Sequence, residues 1–142
     1  TVFTDTMEYI TIASTGNVTD FGNVLGAADN MLSASSATRG LYLGGIETSG
    51  APAVQNVIQY ITIASTGNSQ DFGDLAVAMR SGGPGSNSIS GITMGGYAGP
   101  AKSEVIQEVT IATTGNAADF GDLTQTRADN PGTVSPSHGG LQ

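Results

Sequence analysis

The residues of this chain that could do chemistry are mostly carboxylates, because it holds 12 Asp and Glu but one His, four Lys and Arg, and no Cys. A Ser-His-Asp triad would depend on that single histidine, and a thiolate metal site needs cysteine. The histidine, His138, occupies a position that recurs in the chain as Arg39 and Ser90, which favours a surface role. We therefore expect no catalytic residue, no metal site and no cofactor.

Two pairs of carboxylates are close enough in sequence to share a cation. Asp71 and Asp74 form one pair, and Asp119 and Asp122 form the other. Oxygen ligands of this kind suit Ca²⁺. The alternative is that such short acidic side chains accept backbone N–H bonds within a hairpin. We expect the second arrangement for Asp71 and Asp119, and for Asp20 at the same position earlier in the chain.

The candidate ligand-binding residues are polar groups, most of them basic or amide, in the connections that vary between repeats. Recognition usually occurs in loops that a rigid scaffold holds in place. The candidates are Asp29, Asn30, Arg80, Lys102, Arg127, Asp129 and Asn130. We expect them at one end of the fold, opposite the end that carries a repeated Thr-Gly-Asn sequence.

Charge and composition argue against several classes of function. The formal net charge is −8 with only four basic residues, so a surface that tracks nucleic-acid phosphates is not expected. No apolar run is long enough to predict a membrane span. The 21 glycines and the low charged fraction of 11% are typical of tightly turned β structure.

The chain contains three copies of one repeat. Tyr-Ile-Thr-Ile-Ala-Ser-Thr-Gly-Asn begins at Tyr9 and again at Tyr60, and a variant of it begins at Glu108. An Asp-Phe-Gly step follows each copy, with intervals of 51 and 48 residues between the phenylalanines. We divide the chain into units 1–45, 46–96 and 97–142. The first and third units are incomplete, so we expect the chain to be part of a longer array.

Each unit is predicted to form four short strands. Residues 58–64 and 72–77 are β-branched enough to form two of them, joined by a tight turn at Thr66-Gly67-Asn68 in which Gly and Asn supply positive φ angles. Residues 91–94 predict a third strand, and a Ser-rich strand around residues 86–88 should precede it.

Apolar side chains on both faces of the strongest strand predict a sheet that is covered on both sides. We therefore expect Phe21, Phe72 and Phe120 to be buried between neighbouring sheets.

The period and the paired glycines resemble the kelch repeat, a propeller blade of about 50 residues. The resemblance rests on Leu41-Tyr42-Leu43-Gly44-Gly45, on Ile92-Thr93-Met94-Gly95-Gly96, and on Arg80 and Arg127, where kelch blades often place an arginine. The usual Trp is absent, and the phenylalanines stand in for it. The resemblance implies an all-β fold of four-stranded kelch-like β-propeller blades. Three units are fewer than the roughly 4–8 blades of a closed ring, so more repeats or further copies of the chain should complete it.

The repeat sequence, followed by Asp-Phe-Gly-Asp-Leu, is also similar to kelch-like arrays in marine bacteriophage proteins, notably those of cyanophages. This similarity implies a virion structural protein, a tail fibre or other extracellular appendage, that acts in host or glycan adhesion or in assembly. The partners implied are other copies of the chain, other virion proteins and a host surface glycan.

An alternative is the propeller portion of a glycan-processing enzyme whose active site lies outside these residues. The kelch-type propeller of galactose oxidase carries a copper site, but that site needs a Tyr–Cys crosslink and this chain has no Cys. We therefore expect that the chain itself is not an enzyme.

Overall fold

The computed structural model describes residues 4–47, 53–129 and 131–134, which contain β-strands but no helix. The all-β class predicted from the sequence is confirmed. The strands are β1 (Thr6–Tyr9), β2 (Thr19–Asn23), β3 (Ala28–Asp29), β4 (Leu32–Ser35), β5 (Arg39–Leu43), β6 (Ile46–Glu47), β7 (Ala53–Val54), β8 (Val57–Thr62), β9 (Gln70–Asp74), β10 (Gly83–Ser86), β11 (Ser90–Met94), β12 (Tyr97–Ala98), β13 (Ala101–Thr110) and β14 (Ala118–Arg127).

Three antiparallel sheets form the body of the fold. The first pairs β1 with β2, the second runs β4-β5-β8-β9, and the third runs β10-β11-β13-β14. Strands β3, β6 and β7 form a small separate sheet, and β12 pairs with the start of β13. The four-stranded sheets are therefore meanders, and their connections alternate between two ends.

Each four-stranded sheet takes strands from two successive sequence units. β5 pairs with β8 across the division between residues 45 and 46, and β11 pairs with β13 across the division between residues 96 and 97. The Ser-rich strand expected around residues 86–88 lies slightly earlier, as β10. The chain turns after β10 because the Asn87 side chain accepts the backbone N–H groups of Ile89 and Ser90.

The hydrophobic core lies between the two four-stranded sheets. Its members come from both sheets and their connections: Leu32, Ala34, Leu41, Leu43, Ile58, Phe72, Leu75, Met79, Val109, Ile111 and Ala117. A fully buried Leu or Ile contributes about 2 kcal/mol, so this cluster is the main attraction between the sheets. Their first strands are also in contact, since the backbone N–H of Ser35 donates to Oγ of Ser86 at 3.2 Å.

The phenylalanines of the Asp-Phe-Gly motif differ in burial. Phe72 is 3% exposed and contacts Tyr60 edge to face, with ring centroids 5.9 Å apart. Phe21 is half-buried, whereas Phe120 is 62% exposed. The expectation of buried rings is confirmed for Phe72 and wrong for Phe120. The reason is that Phe72 joins the core between two sheets, while β14 is an outer strand whose residues are mostly exposed.

The Asp-Phe-Gly motif forms a β-bulge in each of the three sheets. The register shifts that mark the bulges lie on the partner strands, between Met7 and Glu8, between Ile58 and Gln59, and between Ile106 and Gln107. A bulge bends its strand and increases the local twist. The glycine after each phenylalanine takes a positive φ, 144° at Gly22 and 146° at Gly73, which is rarely open to other residues.

The Thr-Gly-Asn segments do not form the tight turns predicted for them. The turn lies earlier, where the Ser65 N–H donates to the Thr62 carbonyl at 3.2 Å. None of the three asparagines, Asn17, Asn68 and Asn116, has a positive φ, and Gly67, with a φ of 158°, is close to extended backbone. The expected source of the turn, positive φ at both Gly and Asn, is therefore wrong.

Residues 66–69 instead run along β2 of the preceding sheet. The Gly67 N–H donates to the Phe21 carbonyl at 2.7 Å, and the Ser69 N–H donates to the Asn23 carbonyl at 2.9 Å. The Asn68 side-chain oxygen accepts the Asn23 N–H at 3.0 Å. We call a segment bound in this way a clasp.

Residues 114–117 form a second clasp, on β9. The Gly115 N–H donates to the Phe72 carbonyl, and the Ala117 N–H donates to the Asp74 carbonyl, both at 2.8 Å. The Asn116 side-chain oxygen accepts the Asp74 N–H at 3.0 Å. Both clasps thus tie a sheet to the outer strand of the sheet before it, and a turn prediction based on neighbouring residues could not include partners some 45 residues away.

Candidate binding surface

The two ends of the sheets carry different connections. One end holds the turns that precede the clasps. The other end, which we call the loop end, holds the connections β2–β4, β5–β8, β9–β10 and β11–β13 and the residues after β14. All the predicted binding residues that the structure describes lie at the loop end, and Asn130 lies outside the described residues.

Backbone hydrogen bonds bring neighbouring connections together at the loop end. Arg80 and Tyr97 exchange both of their backbone hydrogen bonds, at 3.2 and 2.9 Å, and the Ser81 N–H donates to the Asn30 carbonyl at 3.2 Å. The connections from three successive units are therefore joined edge to edge, which positions Asn30 and Arg80 on one surface.

Four side chains form a contiguous cluster on this surface. The Arg80 guanidinium lies 4.7 Å from the centroid of the Tyr97 ring, and the Lys102 ammonium lies 5.9 Å from it. Asp129 accepts a hydrogen bond from the Tyr97 hydroxyl at 3.2 Å and lies 3.5 Å from the Lys102 Nζ. We call Arg80, Tyr97, Lys102 and Asp129 the cation cluster.

The contacts within the cation cluster orient its charges without neutralising them strongly. The side chains of Lys102 and Asp129 are 50% and 67% exposed, and an ion pair this open contributes under about 1 kcal/mol. A cation–π contact at an exposed site contributes about 0.5–1 kcal/mol. The Lys102 ammonium thus remains available to an incoming anion, whereas Arg80 is half-buried and its Nε is buried without a hydrogen-bond partner among the described residues.

Asp29, Asn30 and Asp129 have backbone roles as well. The Asp29 side chain accepts the Asn30 N–H at 2.7 Å. Asn30, Ser81 and Asp129 are the described non-glycine residues with a positive φ, of 55°, 53° and 66°. They recur at the repeat intervals of 51 and 48 residues, so this turn is a fixed part of each unit. Asn and Asp tolerate such a φ better than most residues.

Arg127 does not occupy the position of Arg80. Its backbone carbonyl accepts the Gly96 N–H at 2.6 Å, just as the Met79 carbonyl accepts the Gly45 N–H at 2.9 Å. Arg127 is therefore the counterpart of Met79, so the two arginines do not occupy the same position in their units. Met79 is fully buried whereas Arg127 is exposed, because β14 lies at an open edge.

The fourth basic residue, Arg39, lies at the opposite end and has a structural role. Its guanidinium donates to the Ile111 carbonyl of the next sheet at 3.0 Å and lies 4.7 Å from the Tyr60 ring centroid. Three of the four basic residues are consequently found at the loop end.

Sequence reasoning missed Tyr97 and two glutamines. Tyr97 follows a glycine pair and begins a variable connection, and this position could have indicated that it belongs to the binding surface. Gln59 accepts the Leu25 N–H at 2.8 Å, and Gln107 accepts the Val77 N–H at 2.8 Å. Both glutamines are buried. Gln59 thus links β8 to the segment after β2, and Gln107 links β13 to the segment after β9. Their interval of 48 residues was visible in the sequence.

The acidic residues of the motif show one of the expected hydrogen bonds. The Asp119 side chain accepts the Gly121 N–H at 3.1 Å. Across residues 4–47, 53–129 and 131–134, no three or more His, Asp or Glu side chains are grouped so that they could hold a metal ion. His138 lies outside these ranges.

In the described part of the chain, no helix has the length and apolar character needed to cross a membrane. No protein-family model matches the sequence, and a search of the curated proteins finds no similar sequence.

Proposed function

We propose that this chain is a non-enzymatic binding module made of kelch-like β-propeller blades, part of a virion surface protein such as a phage tail fibre. Two successive four-stranded meanders with a shared core and similar clasps support the propeller architecture, because propeller blades pack in this way. The similarity of the repeat sequence to arrays in marine bacteriophage proteins supports the virion and extracellular location.

The cation cluster supports adhesion to an acidic glycan of the host surface. The chain has a net charge of −8, yet Arg80 and Lys102 are held together on one aromatic ring. Because Tyr97 and Asp129 orient these donors in advance, a ligand would lose less free energy in ordering them. Carboxylate, sulfate or phosphate groups on a glycan match guanidinium and ammonium donors.

Two carboxylates at the loop end, Asp29 and Asp129, favour binding over hydrolysis. A glycoside hydrolase places two carboxyl groups on either side of the scissile bond. Asp29 instead accepts the neighbouring Asn30 N–H, and Asp129 is held by Tyr97 and Lys102. These two carboxylates therefore hold neighbouring groups of the binding surface in place.

The experiment measures binding of the chain to immobilised bacterial polysaccharides, with carboxylated and sulfated glycans set against neutral ones of matched backbone. Arg80→Ala and Lys102→Ala should each weaken retention on the acidic glycans about tenfold or more, since each removes a charge-assisted contact. The melting temperature should stay close to that of the unchanged chain.

Ala112→Glu is the matched control. It lowers the net charge by the same unit as Arg80→Ala but lies exposed at the opposite end, in the turn before the second clasp, so binding should persist. Equal loss in Ala112→Glu would mean that only overall charge matters, and equal retention on neutral glycans would contradict an acidic ligand.

A further inference from the structure

The outer strand β14 carries the same receiving site for a clasp that β2 and β9 carry. It has the Asp-Phe-Gly bulge, and Gly121 has a φ of 142°, close to the 144° and 146° of Gly22 and Gly73. At Gly73 a β-carbon would lie 2.5 Å from the carbonyl oxygen of Gly115, which belongs to the clasp. At Gly121 a β-carbon would meet no described atom within 4 Å. Among the described residues, the site on β14 is therefore formed but open.

The first sheet carries the other half of this interaction, a clasp sequence to which no described residue is hydrogen-bonded. Residues 15–18 occupy the clasp position, and residues 8–20 are all exposed. Val18 is 52% exposed, whereas its counterparts in the bound clasps, Ser69 and Ala117, are 4% and 9% exposed. Ile12 is 94% exposed, whereas its counterparts Ile63 and Ile111 are 45% and 0% exposed.

We propose that residues 16–18 of one copy of the chain bind β14 of a second copy. The clasps within the chain define the hydrogen bonds. The Gly16 N–H donates to the Phe120 carbonyl, the Val18 N–H donates to the Asp122 carbonyl, and the Asn17 side-chain oxygen accepts the Asp122 N–H. Contact with the second copy also covers Phe120, which is 62% exposed.

A second copy is the occupant because one chain presents both complementary halves, and because the same pairing already occurs twice inside it. The two halves lie on different surfaces, so the contact is head to tail and continues into a ring or a filament. This proposal does not depend on glycan binding, which takes place at the loop end.

The test uses sedimentation velocity of the full 142-residue chain over a range of concentrations. A donor-blocked variant combines Gly16→Pro, which removes the N–H, with Asn17→Ala. A receiver-blocked variant is Gly121→Ala, whose methyl group would collide with the partner's clasp. The unchanged chain should self-associate, and each variant alone should sediment as a monomer.

Mixing the two variants should give a one-to-one complex and nothing larger, because one intact donor and one intact receiver remain. Asn17→Ala alone should weaken association roughly fivefold to tenfold, as expected for one hydrogen bond. The control, Asn56→Ala, changes an exposed asparagine at the loop end and should associate like the unchanged chain.

Three results would overturn the proposal. The first is a monomeric unchanged chain at the highest soluble concentration, which would instead fit a different protein or another repeat on β14. The second is self-association of the donor-blocked variant with unchanged affinity. The third is a mixture of the two variants that stays monomeric while both melt cooperatively. Since the exposed Asn17 makes no hydrogen bond to another described residue, Asn17→Ala keeps the test valid even if Gly121→Ala impairs folding.

Discussion

The carbonyl oxygen of Gly115 lies 2.5 Å from the point that a β-carbon on Gly73 would occupy, although the two glycines are on different sheets. The bulge at Phe72 brings the backbone of β9 this close to the clasp of the next sheet. One glycine therefore serves two purposes, since it permits the positive φ of the bulge and leaves room for the clasp.

Replacing Gly73 should weaken the contact between β9 and the clasp of the next sheet. We expect Gly73→Ala to lower the free energy of unfolding by about 3 kcal/mol, because it adds a steric collision to an unfavourable φ. Gly121→Ala has a similar φ but no neighbouring atom within 4 Å, so it should cost only about 1–2 kcal/mol in the monomer. Urea denaturation at low protein concentration measures both values, and equal losses would contradict the role of the clasp.

The side chain of Asn116 should stabilise the second clasp measurably. Asn116→Ala leaves the Asp74 N–H without its acceptor, and we expect a loss of about 1 kcal/mol. The corresponding change at the unbound clasp, Asn17→Ala, should leave the stability of the monomer unchanged. Thermal melts of the two variants would show the difference, and a similar shift in both would argue against the assignment.

Replacing the motif phenylalanine by alanine should lower the free energy of unfolding strongly at Phe72 and only slightly at Phe120. Phe72→Ala should cost about 3–5 kcal/mol, since the ring is 3% exposed and lies in the core. Phe120→Ala should cost under about 1 kcal/mol in the monomer, because that ring is 62% exposed. Chemical denaturation compares the pair directly. A large loss in Phe120→Ala at a concentration where the chain is monomeric would contradict the open edge at β14.

The stability of the fold should decrease at alkaline pH partly through Tyr42. Burial raises the pKa of the Tyr42 phenol above its usual value of 10.0. Above that value the unfolded chain loses the Tyr42 proton while the folded chain still holds it, so the free energy of unfolding falls as pH rises through and above about 10. Tyr42→Phe should make this fall shallower, as urea midpoints measured between neutral and alkaline pH would show. An identical pH profile in both proteins would contradict the effect.

The sequence by itself determined the features that depend on repetition and on local pattern. Three copies of the repeat, with β-branched runs between glycines, were enough to predict an all-β chain and the approximate positions of β8, β9, β10 and β11. The variable connections also indicated the loop end, and the described candidates do lie there. These predictions succeed because alternation and turn residues act over a few neighbouring positions.

Only the tertiary structure decided the roles that depend on distant partners. Two of the three Gly-Asn pairs bind another sheet instead of turning the chain, and the Arg80 guanidinium lies over the Tyr97 ring of the next unit. Phe72 and Phe120 share one motif and differ in burial because only the first has a sheet packed beside it. Local propensity is the same in each repeat, whereas burial and hydrogen bonding depend on whether a neighbouring sheet is present, so no single repeat could predict them.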